Sequence, residues 1–366
     1  MCQNLIEGEK KAFMTGNEVI AWAAIAAQAD IMYGYPMTPQ NEIMHYWTRL
    51  APKAGKRFLQ TEDELSAGFA TIGGVLAGKR AFTSTAGQGN TLMQEPVSMA
   101  EMMRLPMVIV MQHSVGPSTA TVNYPQQDLN LTCYGGKGEG LRIVYSTATH
   151  QDLFDYTIKA FYTAWKYRFP TFVLGDGYQV KMRESFVMYD PQARGIDMVP
   201  TEQILGKQGV PGADRAPVHL RNAYNTEEEL YHVIMATAEE FDKIAHEITE
   251  YDEQYIEDAE IIIVAHGVVS RAALEAVLEL RSKGHKAGYF RPITLRPFPS
   301  KQLYNRAVKA KTLLVVESAL GQLARTVRDA IYGCNTSIET IAKPGMGIIS
   351  EEIIEKVDII IKGGLA

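Results

Sequence analysis

Residues 57–105 read RFLQTEDELSAGFATIGGVLAGKRAFTSTAGQGNTLMQEPVSMAEMMRL, and their order decides the fold. A short apolar run ends at Gln60, the acids Glu62, Asp63 and Glu64 follow, and a small-residue helix pattern then runs to Gly78. A second apolar run, Ala81 to Thr85, feeds the turn Ala86-Gly87-Gln88-Gly89. The acids therefore sit where a strand hands over to a helix, the rim at which open α/β sheets place ligands. The helix behind them (Ala67, Gly68, Ala70, Gly73, Gly74, Ala77, Gly78) is short of bulk on every face. Glycine costs a helix roughly 1 kcal/mol against alanine, so a run of them predicts close packing by another helix, a backbone or a cofactor.

Upstream, Thr15-Gly16-Asn17-Glu18 reads as a capping box opening an alanine-rich helix to about Ala29. Ile31 to Tyr35 reads as a strand, stopped by Pro36 and Pro39, which are expected to hold Met37-Thr38 extended. Helical periodicity returns from Asn41 to about Leu50. Downstream, Pro106 to Met111 is an unbroken apolar run, as a strand covered on both faces should be. Leu141 to Tyr145 predicts a strand, His150 to Lys166 a helix and Thr171 to Leu174 a strand. Such alternation implies α/β architecture, a parallel sheet with helices on both faces.

The pattern loosens from Lys181, where the span includes the loop-like GKQGVPGADRAP (206–217) and one charged helix opened by a second capping box, Thr226 to Glu229. A second, smaller α/β unit begins at Ala259, with strands from Ile261, Ala287, Thr312 and Ser337. Its helices fall at Val269 to Lys283, Lys301 to Lys309, Gly321 to Ile331 and Glu351 to Lys362. The expected division is a first domain over 1–180, a connecting region over 181–257 and a second domain over 258–366.

The 366 residues suffice for two domains with a large core. A net charge of −6 gives no electrostatic case for nucleic acid or an anionic membrane. No apolar run reaches membrane-spanning length, and the start MCQNLIEGEKK lacks the apolar core of a signal peptide, so the expectation is a cytoplasmic protein. Cys2, Cys133 and Cys334 lie too far apart for a disulfide framework or zinc site, and a four-iron cluster needs four thiolates. Electron transfer would put the cluster on another chain.

Gly175-Asp176-Gly177 opens like a thiamine diphosphate motif, but the paired asparagines that complete such a motif's metal site occur nowhere in the chain. One aspartate cannot supply the octahedral oxygens magnesium needs, and a strand-end turn also uses Asp and Gly. Ala86-Gly87-Gln88-Gly89 precedes a helix as anion-binding loops do, without the lysine of a P-loop. Glu62 and Glu64 suit a solvated helix start. Counted from Glu64, Ala67, Gly73 and Gly78 fall where they would leave a ring system room beside the helix; counted from Glu62 they fall less regularly. His113 and His266 each follow an apolar strand, facing either a cleft or hydrogen-bonded scaffolding.

Taken together, TGNE (Thr15 to Glu18), GYPMTPQNEI (Gly34 to Ile43), QTEDELSAG (Gln60 to Gly68) and TSTAGQG (Thr83 to Gly89) resemble the α subunit of the thiamine diphosphate-dependent 2-oxoacid:ferredoxin oxidoreductases. GPST (Gly116 to Thr119) and PFP (Pro297 to Pro299) extend the resemblance through both domains. It implies a first domain of the pyrimidine-binding type and a second like the C-terminal domain of transketolase. It further implies a β subunit that holds the diphosphate and Mg²⁺, [4Fe-4S] clusters on partner subunits, and coenzyme A as co-substrate. Gamma and ferredoxin-like delta subunits, and ferredoxin as acceptor, would complete a hetero-oligomer dimerised around its active sites.

By position, the resemblance makes Glu64 the carboxylate that hydrogen-bonds the pyrimidine nitrogen and favours its imino tautomer. Thr38 would contact substrate or cofactor, with Pro36, Gly87, Gln88 and Gly89 lining the cofactor site. Many relatives carry an arginine, associated with the substrate carboxylate, where this chain has Ser114. Serine cannot give that bidentate charged contact, so Ser114 and His113 stand as substrate-binding candidates, or a partner chain substitutes. Two rivals remain: a non-oxidative thiamine-dependent decarboxylase or transketolase-like subunit, and a non-catalytic nucleotide- or CoA-binding scaffold. The first needs no iron–sulfur partner, and the second binds its ligand alone.

Overall fold

Buried apolar runs alternating with helices close two parallel sheets in this computed structural model, which describes residues 5–6, 8–114, 116, 118, 126–205 and 220–363. Cys2, Pro117 and Thr119 of the GPST segment, and the loop 206–217 lie outside the described residues. The chain begins with β1 (Glu9–Thr15), α1 (Gly16–Ala26), β2 (Ile31–Gly34), α2 (Asn41–Leu50) and β3 (Arg57–Gln60). Next come α3 (Glu64–Leu76), β4 (Ala81–Ala86), α4 (Gln88–Leu92), α5 (Gln94–Met102) and β5 (Val108–Gln112). The first unit continues through α6 (Leu129–Tyr134), β6 (Ile143–Ser146), α7 (His150–Tyr167), β7 (Thr171–Gly175), α8 (Gly177–Lys181) and β8 (Arg183–Tyr189). The long helix α9 (Glu227–Ile248) leads to β9 (Tyr251–Gln254), β10 (Ile261–Val264), α10 (Val269–Ser282), β11 (Ala287–Pro292) and β12 (Thr294–Arg296). The chain ends with α11 (Ser300–Ala307), β13 (Thr312–Glu317), α12 (Gln322–Ala330), β14 (Ser337–Ala342) and α13 (Ser350–Ile361).

The first sheet has seven strands in the order β12-β6-β7-β5-β4-β2-β3, and the second has five in the order β14-β13-β10-β11-β9. Strands β4, β5, β6, β7, β10, β11 and β13 are buried along their whole length, which is why they read as continuous apolar runs. Three features depart from the sequence expectation. Residues 183–189 and 251–254, within the span read as connection, pair antiparallel with β1 and β11. Residues 294–296 leave the second unit and add an antiparallel edge strand to the first sheet beside β6. Pro292, without an N–H to donate, ends β11 and frees the chain for that crossing. Thr15 and Thr226 accept from the N–H groups of Glu18 and Glu229 as expected, forming one half of each predicted box.

One apolar cluster runs without interruption from Ile109, Met111 and Leu174 of the first sheet through Leu295 to Ile262, Val264 and Leu313 of the second. The units therefore share a core. Their polar contacts join the C-terminal rim of the first sheet to that of the second. Asp176, in the turn after β7, accepts from Val268 N at 2.9 Å. Gln126 donates from Nε2 to the His266 carbonyl at 2.7 Å and accepts from Ser318 N at 3.0 Å. Ser146 Oγ lies 3.0 Å from His266 Nδ1. Gly175-Asp176-Gly177 is thus a strand-end turn, as its composition allowed, and also the carboxylate that receives the second unit.

Burial raises the Asp176 carboxyl above its ordinary range. Asp176→Asn keeps an acceptor for Val268 N–H and removes the buried charge. Asp176→Ala strands that N–H, at a cost of about 1–3 kcal/mol. Thermal unfolding at pH 8 is expected to show the alanine variant several degrees below wild type and the asparagine variant at or above it.

Candidate functional site

Strand order reverses at β2, which has β3 on one side and β4 on the other, so the crevice between β2 and β4 is the switch point of the first sheet. The two strands pair only at Ile31–Ala81 and Met32–Phe82, then part. The Gly34 carbonyl turns instead to Thr61 N at 3.0 Å. The loops after β2 and β4 flank this opening.

The loop after β2 carries Pro36 and Thr38, both exposed. Thr38 stands in a turn closed by Met37 O, which accepts from Asn41 N at 2.8 Å. Buried side chains pull the chain into that turn. Gln40 accepts from Ser84 Oγ at 2.6 Å and donates to Tyr35 O at 3.3 Å. Asn17 Nδ2 donates to Pro39 O and to Glu42 Oε2, each at 3.0 Å. Thr38 is therefore an exposed hydroxyl on an anchored turn.

Asp63 caps α3 by accepting from Ser66 N at 2.7 Å, which makes Glu64 the first helical residue. Its side chain points inward: Glu64 is 3% exposed, and its Oε1 has no hydrogen-bond partner. Burial raises its carboxyl above the ordinary range, with a smaller push from the Asp63 charge. Gly89 lies flush against it, since a Cβ there would come within 2.6 Å of Glu64 Oε1 and would also strike Thr85 Oγ1. Gly87 has φ +45°, which favours glycine, and a Cβ at that position would collide with Ser114 Oγ. Glu64, Gly87, Gly89 and Ser114 are thus brought together, with Gln88 half-buried between the two glycines. Glu62 is exposed and stands apart.

Most glycines of the small-residue helix meet other parts of the chain. Gly68 is packed by Pro96 and Met93, Gly74 by Tyr33 and Ala81, and Gly78 by the backbone at Glu202–Gln203. Gly73 faces open space. The closeness predicted for this helix is that of the chain to itself.

His113 and Ser114 follow β5 and are buried. Asp128 holds both: its N–H donates to His113 Nδ1 at 3.2 Å, and its carboxylate accepts from Ser114 N at 2.9 Å. His113 therefore carries its proton on Nε2 when neutral. His266, from the second unit, brings its ring to 6.0 Å from that of His113. Burial, with His113 and Arg291 adding smaller pushes, keeps the His266 imidazole well below its usual range, and its Nε2 has no partner. Sequence reasoning did not select Gln112, Thr83, Thr85 or Asp176 for this region. The polar ends of otherwise apolar strands were the available signal.

A pyrimidine bearing ring nitrogens and an amino group needs a carboxyl able to hold a proton, and uncommitted donors and acceptors nearby. Glu64 Oε1, Thr83 Oγ1, Thr85 Oγ1, Ser114 Oγ and the Gln112 amide are buried without partners. An unmatched buried polar group costs about 1–3 kcal/mol, so this set fits such a ring. Among the described residues no group of three or more His, Cys, Asp or Glu is arranged to hold a metal ion, and no helix is long and apolar enough to cross a membrane.

Comparison with known proteins gives two family matches. Residues 22–253 match the thiamine diphosphate-binding region of pyruvate flavodoxin/ferredoxin oxidoreductase, and residues 259–353 match core domain II of pyruvate:ferredoxin oxidoreductase. The chain is 32% identical over 345 residues to ketoisovalerate oxidoreductase subunit VorB of Methanothermobacter marburgensis, covering 93% of this chain and 96% of that one. It is 33% identical over 354 residues to 2-oxoglutarate synthase subunit KorA of Methanothermobacter thermautotrophicus, covering 91% and 94%. Among solved structures it resembles 2-oxoglutarate:ferredoxin oxidoreductase from Magnetococcus marinus with 2-oxoglutarate, coenzyme A and succinyl-CoA bound (TM-score 0.85, 24% identity, 95% of this chain and 65% of that chain). A split-gene transketolase shares the fold more distantly (TM-score 0.57, 15% identity, 94% and 93%).

Glu64 makes a stability prediction with a definite sign. Its raised pKa means that the folded state disfavours the ionised form, so stability is lost as pH rises through that pKa. Glu64→Gln removes the charge at nearly constant shape. Its Tm is expected to exceed that of wild type at pH 8, and the gap should close as the pH is lowered and the wild-type carboxyl protonates. A variant less stable at pH 8, or a gap independent of pH, would overturn this expectation.

Proposed function

Because this chain belongs to the pyruvate flavodoxin/ferredoxin oxidoreductase family, we propose that it is the α-type subunit of a multi-subunit 2-oxoacid:ferredoxin oxidoreductase. The complex converts a 2-oxoacid and coenzyme A to an acyl-CoA and CO₂, passing two electrons to ferredoxin. The observation that carries this reading is the buried carboxyl of Glu64, raised in pKa by that burial, with Oε1 unpartnered beside the switch-point crevice.

Thiamine diphosphate, when bound, supplies the nucleophilic carbon and the electron sink for decarboxylation. This chain's part is to hold the pyrimidine end. Glu64 Oε1 would share a proton with a ring nitrogen, and burial raises the affinity of its carboxyl for that proton. Thr83 and Thr85 offer hydroxyls from β4, and Gly89 lets that strand-end turn lie against Glu64. Thr38 presents a hydroxyl from the opposite side of the crevice, preorganised by Gln40 and Asn17. His113 and Ser114 lie at the substrate end. The diphosphate, Mg²⁺ and [4Fe-4S] clusters belong to partner subunits, a β chain with γ- and ferredoxin-like δ-type chains.

The crevice is open on this chain, and exposed apolar side chains occur around it: Leu59 on β3, Leu65 and Phe69 on α3, and Leu92 on α4. Such a patch suits an obligate protein partner. Its placement puts the partner where it would close the Glu64 pocket from water.

The test is Glu64→Gln in the natively purified complex. The variant is expected to assemble with its partners and retain its iron, while acyl-CoA formation falls about 10²–10⁴-fold, the usual worth of a positioned proton-transfer group. Wild-type turnover in that variant would overturn the assignment. Thr38→Ala should have a smaller effect, about tenfold, of the size expected when one positioned neutral donor is lost.

A further inference from the structure

We infer that the outer face of α11 and α12 is a docking surface for a different protein chain that presents carboxylates. The inference goes beyond the function proposed above, which seats a partner on the first unit.

The two helices pack against one another and against the second sheet. Their inner faces are apolar: Leu303 and Ala307 of α11, and Leu323, Ala324 and Val327 of α12, are buried. Opposite those residues, Lys301, Tyr304 and Val308 follow one another at the i, i+3, i+7 spacing of a single helical stripe, and all three are exposed. Arg325, Arg328 and Tyr332 repeat that spacing along α12 and the turn after it, and they too are exposed. Two adjoining stripes thus present cations and aromatic rings on one surface.

The sign of that surface is opposite to that of the chain. The protein carries a net charge of −6, yet residues 300–308 and 322–332 hold Lys301, Arg306, Arg325 and Arg328 against one acid, Asp329. Arg306 is engaged by Glu253 at 2.7 Å and by Glu257 at 3.0 Å, whereas Arg325 and Arg328 form no ion pair among the described residues. Tyr332 stands 89% exposed. Arginine and tyrosine are the residue types that carry the centre of protein interfaces. A guanidinium takes a carboxylate through two parallel hydrogen bonds, and a tyrosine ring adds apolar area with a polar tip. The complement of this face is therefore a protein surface rich in Asp and Glu. The acidic remainder of the chain repels a nucleic acid, so a phosphate backbone is the poorer match.

The test uses the natively purified complex, wild type and with Arg325→Glu and Arg328→Glu combined. Hydroxyl-radical footprinting reads the exposure of Tyr332, and carbodiimide joins the Lys301 amine directly to any carboxylate it touches. Tyr332 is expected to be oxidised about tenfold more slowly in the wild-type complex, because the centre of an interface excludes water. Lys301 is expected to cross-link to an Asp or Glu of a different chain, and the charge reversal should abolish that cross-link. The neutral pair Arg325→Gln and Arg328→Gln should fall between the two and shows that the effect follows charge. Equal oxidation of Tyr332 in wild type and charge-reversed complexes overturns the inference. Cross-links from Lys301 confined to this chain or to a second copy of it do so as well, as does release of Tyr332 by nuclease.

Discussion

The parting of β2 and β4 after two rungs of pairing is the constraint on which the site depends. Paired to their ends, the two strands would close the rim and bury Thr83 and Thr85 against a neighbour's backbone. Parted, they leave hydroxyls and a carboxyl buried yet uncommitted. The separation is maintained from both sides. Gly34 is drawn to Thr61 on the β3 side, and the Gln40–Ser84 hydrogen bond spans the opening beneath the turn that carries Thr38. A crevice fixed at its base by a 2.6 Å hydrogen bond and open at its mouth is a preorganised receptor.

The second unit acts on the other half of the same rim. Asp176, His266, Gln126 and Ser318 join the ends of β6 and β7 to the ends of β10 and β13. A shared apolar core lies beneath these contacts, so the covering is rigid. Two buried carboxyls, both raised in pKa by burial, have opposite fates under it. Asp176 accepts an N–H from the second unit and becomes structural. Glu64, beyond the covered half, keeps a free oxygen. A raised pKa alone does not separate them; the hydrogen-bond inventory does.

Much of this was legible in the sequence because parallel strands buried on both faces leave an unmistakable apolar run. IIIV at 261, TLLVVE at 312 and VIVM at 108 needed no partner information. The strands that escaped notice, β1 with β8, β9 and β12, are antiparallel and partnered far along the chain. Of these, β1, with the burial pattern eeeieii, has no core face to impose alternation. The glycine-rich α3 was legible only in part. Small residues announce close approach without saying by what, and here Pro96, Tyr33 and the backbone near Gln203 fill the space. His266 stood level with His113 in the sequence, and only the docking of the two sheets set their rings 6.0 Å apart.

The pairing of Glu64 with Gly89 shows why the acid and the glycine turn had to be read together. Glu64 is first in its helix and Gly89 is second in the next rim helix, α4, in the same unit. Their contact is between a carboxyl oxygen and the bare Cα face of a glycine. A side chain at Gly89 would displace Glu64 or Thr85, and a side chain at Gly87 would displace Ser114, so the two glycines set the positions of three polar groups without bonding to any of them. The unmatched polar atoms that result cost the fold stability. By linkage, a ligand that satisfies them stabilises the fold it binds. The site is therefore defined less by what its residues contact in this chain than by the hydrogen bonds they have been prevented from making.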